Sequence, residues 1–130
     1  MKIEGWGGNM NPYIIAARKA IESQYDAKCD VIEKRPKEIN NITKTIEEKV
    51  LIDKDCRVSF EDIYVNTETD TESKKIQKIK LFIAPELNIK SGSKIAVTRK
   101  GRTTEYKNRG EPAIYDTHQE ITLELWKGWA

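Results

Sequence analysis

Four groups of residues in this chain have types and spacings that carry chemistry in other proteins. His118, the one histidine, stands two residues from Asp116. A histidine with a nearby carboxylate is half of an acid–base or nucleophilic arrangement, and a nucleophile must complete it. Ser91, Ser93, Cys29 and Cys56 are the candidates, but none lies in a nucleophile-elbow, phosphate-loop or zinc-hydrolase spacing. The ring is therefore read as satisfying a loop backbone group. Glu68, Asp70 and Glu72 recur with period two and suit weak cation binding. They lack the glycine and the terminal bidentate Glu of a calcium loop. Glu47 and Glu48 point to opposite faces of a strand and do not share a substrate. No catalytic residue, cofactor site or metal site is assigned, and the chain is expected not to be an enzyme.

The two cysteines and one histidine do not make a four-ligand zinc site without carboxylates. Two buried thiols in a reduced compartment is the reading taken, with a disulfide between neighbouring strands as the alternative. The fourth group is basic: Lys90, Lys94, Arg99, Lys100, Arg102, Lys107 and Arg109, interleaved with Tyr106 and Tyr115. Aromatics for stacking and cations for phosphates mark an oligonucleotide-binding barrel. Glu105, Glu111, Asp116, Glu120 and Glu124 are mixed among them, so a charge-mixed solvated face is the stronger reading.

The elements that hold these residues are mostly strands. Ile121, Leu123 and Leu125 alternate with Thr122, Glu124 and Trp126, the period of a strand with one buried face. On that phase Trp126 points away from the core. Ile95 and Val97 alternate likewise, and Lys100-Gly101 fits a two-residue hairpin turn. Upstream, Asn11-Pro12 is an N-cap followed by a first-turn proline. Ile14, Ala17, Ile21 and Tyr25 then recur at helical spacing, with Arg18, Lys19 and Glu22 turned away, so a helix is expected over 12–23. Strands are expected over 28–34, 42–52, 56–60 and 75–84. Arg35-Pro36-Lys37-Glu38 is expected to break the first, and Asp53-Lys54-Asp55 to form a turn between the next two. Cys29, Val31, Ile79, Leu81 and Ile83 are placed inward.

Two segments stand apart. Gly5-Trp6-Gly7-Gly8-Asn9 gives residues 1–11 the composition of a flexible arm. Asn66, Thr67, Glu68, Thr69, Asp70, Thr71, Glu72 and Ser73 form a polar connection longer than two strands need. Residues 12–130 are read as a single domain, a small antiparallel β-barrel of about seven strands with one short N-terminal helix.

Composition bounds the function. The chain has 130 residues, 34% charged and 38% hydrophobic, enough for one domain with its own core. With 23 basic and 21 acidic residues the net charge is +2, against a protein whose main task is to wrap nucleic acid. No apolar run approaches the ~20 residues that span a membrane, and residues 1–10 lack the apolar core of a signal peptide.

Six stretches taken in order resemble one family. They are Tyr25-Asp26-Ala27-Lys28-Cys29, Cys56-Arg57-Val58-Ser59-Phe60, Lys80-Leu81-Phe82-Ile83-Ala84-Pro85, Ile89-Lys90-Ser91-Gly92-Ser93-Lys94-Ile95, Gly110-Glu111-Pro112-Ala113-Ile114-Tyr115 and His118-Gln119-Glu120-Ile121. From residue 10 onward the chain resembles the head-completion (stopper or head-closure) proteins of long-tailed phages and prophages of Gram-positive bacteria. The arm before residue 10 departs from the pattern. The resemblance implies a β-barrel that assembles as a homo-oligomeric ring in the virion neck, made in the host cytoplasm. It implies a portal or adaptor ring above, a tail terminator or tail tube below, and packaged double-stranded DNA in the channel. It implies no enzymatic activity and no membrane. The loop from 66 to 73 is the candidate for a segment projecting into the channel, where carboxylates would repel phosphates. Trp6, Trp126 and Trp129 are the candidate subunit interface, with packing of Trp126 on the N-terminal helix as the alternative. Another neck or tail ring protein, such as an adaptor or tail terminator, and an oligonucleotide-binding barrel are the competing functions.

Overall fold

In the computed structural model, residues 11–65 and 74–129 are described. The order is α1 (Pro12–Glu22), β1 (Ala27–Ile39), β2 (Ile42–Val65), β3 (Lys74–Ile83), β4 (Lys94–Arg99), β5 (Arg102–Asn108), β6 (Ala113–Ile114) and β7 (Gln119–Leu125). The protein is mainly β, with one short helix and an antiparallel sheet of seven strands in the order β3-β2-β1-β4-β5-β7-β6. Pairing of β3 with β7 closes this sheet on itself, leaving β6 as a short flap on β7. Closure removes the two long edges an open sheet would expose.

The core lies inside that closed sheet. Cys29 and Val31 of β1, Ile79, Leu81 and Ile83 of β3, Ile95 and Val97 of β4, and Ile121 and Leu123 of β7 all point inward. Each set follows the alternation expected of a strand with one buried face. Burial of such side chains is the main stabilising term, roughly 1.5–3 kcal/mol each.

Two strands run further than their sequences suggest. Beyond Ile32, β1 has β2 on one side and no strand on the other, because β4 pairs only residues 28 to 32. Pro36 therefore sits in an edge strand, where its missing N–H disturbs no ladder, and β1 continues through it to a turn at Asn40 and Asn41. Both asparagines have positive φ, 51° and 64°, a conformation that asparagine tolerates. The expected turn at Asp53 is instead a bulge inside β2. Asp53 has φ 52°, and its N–H donates to the Asp30 carboxylate at 2.9 Å. That bond, with Lys49 Nζ at 3.1 Å, holds the Asp30 carboxyl below the usual carboxylate range. The residue opposite supplies the acceptor that the bulge needs, so the strand bends and does not end.

Because β2 runs 24 residues, it belongs to two hairpins. Its first half pairs with β1 and its second half with β3. Each hairpin extends past the closed sheet as a two-stranded ribbon, over residues 33–39 with 42–48, and over 61–65 with 74–78, with Phe60 at the base of the second. At about 3.3 Å per residue, each ribbon reaches roughly 20 Å.

The helix begins as expected, with the Asn11 side chain accepting from the Tyr13 N–H at 2.8 Å and Pro12 at the first helical position. It ends at Glu22 and buries no residue completely. Ala17, expected in the apolar stripe, is exposed, and Arg18, expected to face away, is tucked inward on Glu22 and Glu86. Those carboxylates outweigh the cost of its burial and raise its pKa. An arginine can lay its aliphatic stem where an alanine is too short to reach.

Candidate functional site

His118 lies at the start of β7, stacked on Tyr115 with ring centroids 5.1 Å apart and tilted against Phe82 at 5.6 Å. Its Nε2 is 3.0 Å from Glu120 Oε2 and its Nδ1 is 2.9 Å from Thr117 Oγ1. A neutral ring satisfies both contacts, donating to Glu120 and accepting from the threonine hydroxyl. The carboxylate that meets the ring is thus Glu120, two residues on along the same face of the strand, and not Asp116, which is exposed. No serine or cysteine stands among the hydrogen-bond partners of this ring among the described residues. Glu120 also takes Lys80 Nζ at 3.1 Å. The His118 hydrogen bond, aided by Lys80, holds its carboxyl below the usual range. The cluster ties β3 to β7 from outside while the core ties them from inside.

The two cysteines sit on adjacent strands, with Cys56 opposite Ala27 and Cys29 two residues further along β1. Both are free and buried. A hydrogen bond with Cys29, followed by burial, pushes the Cys56 thiol well up, away from the reactive thiolate form. Among the described residues no group of three or more His, Cys, Asp or Glu is arranged to hold a metal ion.

The basic C-terminal half is divided by its neighbours. Lys94 pairs with Glu105 at 2.9 Å, Arg99 with Asp26 at 2.7 Å and Lys90 with Glu33 at 3.9 Å. Tyr106 is a core residue, its hydroxyl pKa raised by burial, so it offers no stacking face. Three of the seven cations of this surface are thus paired with carboxylates.

The C-terminal tryptophans meet each other and the base of a ribbon. Trp126 packs edge-on to Trp129 at 4.6 Å and lies under Lys94 Nζ at 5.1 Å. Trp129 Nε1 donates to Glu47 Oε1 of β2 at 2.7 Å. Trp126 therefore rests on Trp129 and Lys94 and not on α1, while Trp129 braces the β1–β2 ribbon near its base. Leu125, placed in the core by its phase, is 56% exposed, because β3 pairs with β7 only as far as Leu123 and the core ends there. Trp6 and the segment Asn66–Ser73, the remaining candidates, lie outside the described residues.

Sequence reasoning missed two buried polar residues that organise the closure. Gln119 Nε2 donates to the carbonyls of Ala84 and Leu87 at 2.8 and 2.7 Å. Asn108 Nδ2 donates to Lys90 O at 3.0 Å, and its backbone N–H to Ser93 O at 2.9 Å. The signal was present: Gln119 shares the inward phase of Ile121 and Leu123, and Asn108 that of Tyr106. A polar residue on a buried phase must be hydrogen-bonded.

Part of the outward apolar surface lies on the ribbons. Phe60 and Tyr64 are 56% and 67% exposed, and Ile76 and Val65 of the same ribbon are also exposed. Phe60 and Tyr64 continue the inward-facing phase of β2 past the point where the barrel interior ends. Ile39 and Ile42 face each other, exposed, at the tip of the other ribbon. Apolar surface of this kind, bordered by charge, marks protein contact sites.

No protein-family model matches the chain, and no curated protein does. Among solved structures it is similar to the phage-like element PBSX protein xkdH from Bacillus subtilis, with 12% sequence identity over 75% of this chain and 91% of that one, at a TM-score of 0.46. No helix among the described residues is long and apolar enough to cross a membrane.

Proposed function

We propose that this chain is a structural component of a phage head–tail connector, a head-completion protein. Copies form a ring that closes the DNA-filled head beneath the portal or adaptor and presents the attachment surface for the tail. The observation that carries this reading is the pair of ribbons extending from the closed sheet, each bearing a few exposed apolar side chains among its charged ones. A closed ring needs contacts in which one patch meets a different patch on the next copy. A barrel that has removed its own sheet edges makes such contacts through projections, and these projections carry Phe60, Tyr64, Ile39 and Ile42 outward. The family resemblance of the six ordered stretches supplies the identity of the assembly. In this reading the protein performs no catalysis, its place is the virion neck, its neighbours are the portal or adaptor and the tail, and packaged double-stranded DNA passes through the channel.

The test is substitution of the ribbon side chains. Phe60→Ser with Tyr64→Ser should leave the isolated chain folded, since both are mostly exposed, and should block formation of DNA-retaining heads able to accept tails. Normal virion yield from the double variant would refute the role given to the ribbon.

A further inference from the structure

Where β1 begins, at Ala27, the β2 strand and the β4–β5 hairpin part and leave a cleft of about 340 Å³. Its floor is apolar, formed by Ala27, Val58 and Val97 above the buried Tyr106. Its rim carries three guanidinium groups, from Arg57, Arg99 and Arg102. Arg99 and Arg102 are direct cross-strand partners on either side of the Lys100-Gly101 turn. Like charges placed opposite each other in this way are destabilising by a few tenths of a kcal/mol or more.

One carboxylate answers the three cations. Asp26 Oδ2 sits 2.7 Å from Arg99 Nε, and that bond, together with the nearby Arg57, lowers the Asp26 pKa. Arg57 donates to the neutral side chain of Gln24 at 2.7 Å, and Arg102 has no carboxylate partner among the described residues. Among the described residues two positive charges of the rim thus have no carboxylate of their own, in a chain whose whole net charge is only +2. Asp26 shows which ligand the guanidinium groups accept, and the floor calls for an apolar side chain beside it.

We infer that this cleft docks an acidic peptide segment of a partner protein, with its carboxylates on Arg57 and Arg102 and an aliphatic or aromatic side chain on the floor. Arginine forks fit carboxylates bidentately. Phe60, exposed at the cleft's edge, adds an aromatic wall. A nucleic-acid backbone fits less well, because phosphates bring no apolar group for the floor. The inference goes beyond the connector reading and holds or fails without it.

The test uses the full chain and the peptide fluorescein-Gly-Glu-Phe-Glu-Leu-Gly-amide, labelled at its N-terminus, against the same peptide with Gln for both Glu. Fluorescence polarisation should show the acidic peptide binding at least tenfold more tightly than the Gln peptide, more weakly as salt rises. Arg57→Gln with Arg102→Gln should abolish that difference. Lys37→Gln with Lys44→Gln, which removes the same charge from the distant ribbon, should preserve it. Both arginines are exposed, and unchanged circular dichroism and urea midpoint would establish that the double variant is folded. Equal binding of the two peptides, or unchanged binding by the arginine variant, would overturn the inference. So would duplex DNA or inorganic phosphate displacing the peptide while the chain binds DNA through the same two arginines, since the cleft would then be a phosphate site.

Discussion

Gln119 of β7 lies directly opposite Ile83 of β3, and this pair is where the sheet closes. Ile83 fills the barrel interior, and Gln119, only 1% exposed, holds the chain leaving β3 by its bonds to the carbonyls of Ala84 and Leu87. A buried side chain amide with two acceptors fixed in this way specifies which strand β7 must join.

Gln119→Ala removes the side-chain donor shared by the Ala84 and Leu87 carbonyls and leaves Ala84 O only the Leu87 N–H at 3.4 Å. The expected loss is about 1–3 kcal/mol, measured by urea unfolding. Amide exchange should quicken first in β3 and β7, while the β1–β4 ladder stays protected. Uniform loss of protection, or a change below about 0.5 kcal/mol, would show that the amide does not direct the closure.

Leucines that look alike in the sequence differ sharply in the fold. Leu81 is fully buried, whereas Leu125 lies past the end of the core. Leu81→Ala should cost about 3 kcal/mol through lost transfer energy and an unfilled cavity. Leu125→Ala should stay within about 0.5 kcal/mol, as surface substitutions do. Comparable shifts of the urea midpoint for the two would contradict the position given to the end of the barrel.

Glu120 links the closure to pH. Its carboxyl is held below the usual range, first by the His118 hydrogen bond and then by Lys80. A carboxyl with a depressed folded pKa contributes stability above its unfolded value, near 4.3, and loses it as pH falls through the folded value. Glu120→Gln should therefore lower stability at pH 7 by about 1 kcal/mol, the scale of one partly exposed ion pair. The difference from the parent should shrink as pH falls below the unfolded value, and urea melts from pH 7 into the acid range measure it. A difference that stays constant with pH would mean that the effect is packing and not charge.

Much of the architecture was legible because it rests on local rules. The cap at Asn11, the inward phase of β3, β4 and β7, and the Lys100-Gly101 turn all follow from side-chain type and spacing. Pro36 and Asp53 misled because whether either breaks a strand depends on what lies beside it. An open edge excuses the proline, and the Asp30 carboxylate opposite satisfies the bulge. Arg18 and Leu125 misled because periodicity gives a phase but not the point at which the core stops. His118 was recognised as a candidate, but its carboxylate was read as the one before it in the chain and not the one two residues on. The arginine cleft was half visible: Arg99 and Arg102 flank one turn, whereas Arg57 joins them only through the sheet order.

The connector reading is tested most directly by stoichiometry. Purified protein would be measured by sedimentation equilibrium, alone and after mixing with isolated portal-bearing, DNA-filled heads, with bound copies counted per head. The account predicts binding at the portal vertex in the small fixed number that a closed ring requires, together with retention of packaged DNA. Absence of binding to heads, with the chain instead associating with DNA in a salt-dependent manner, would contradict it.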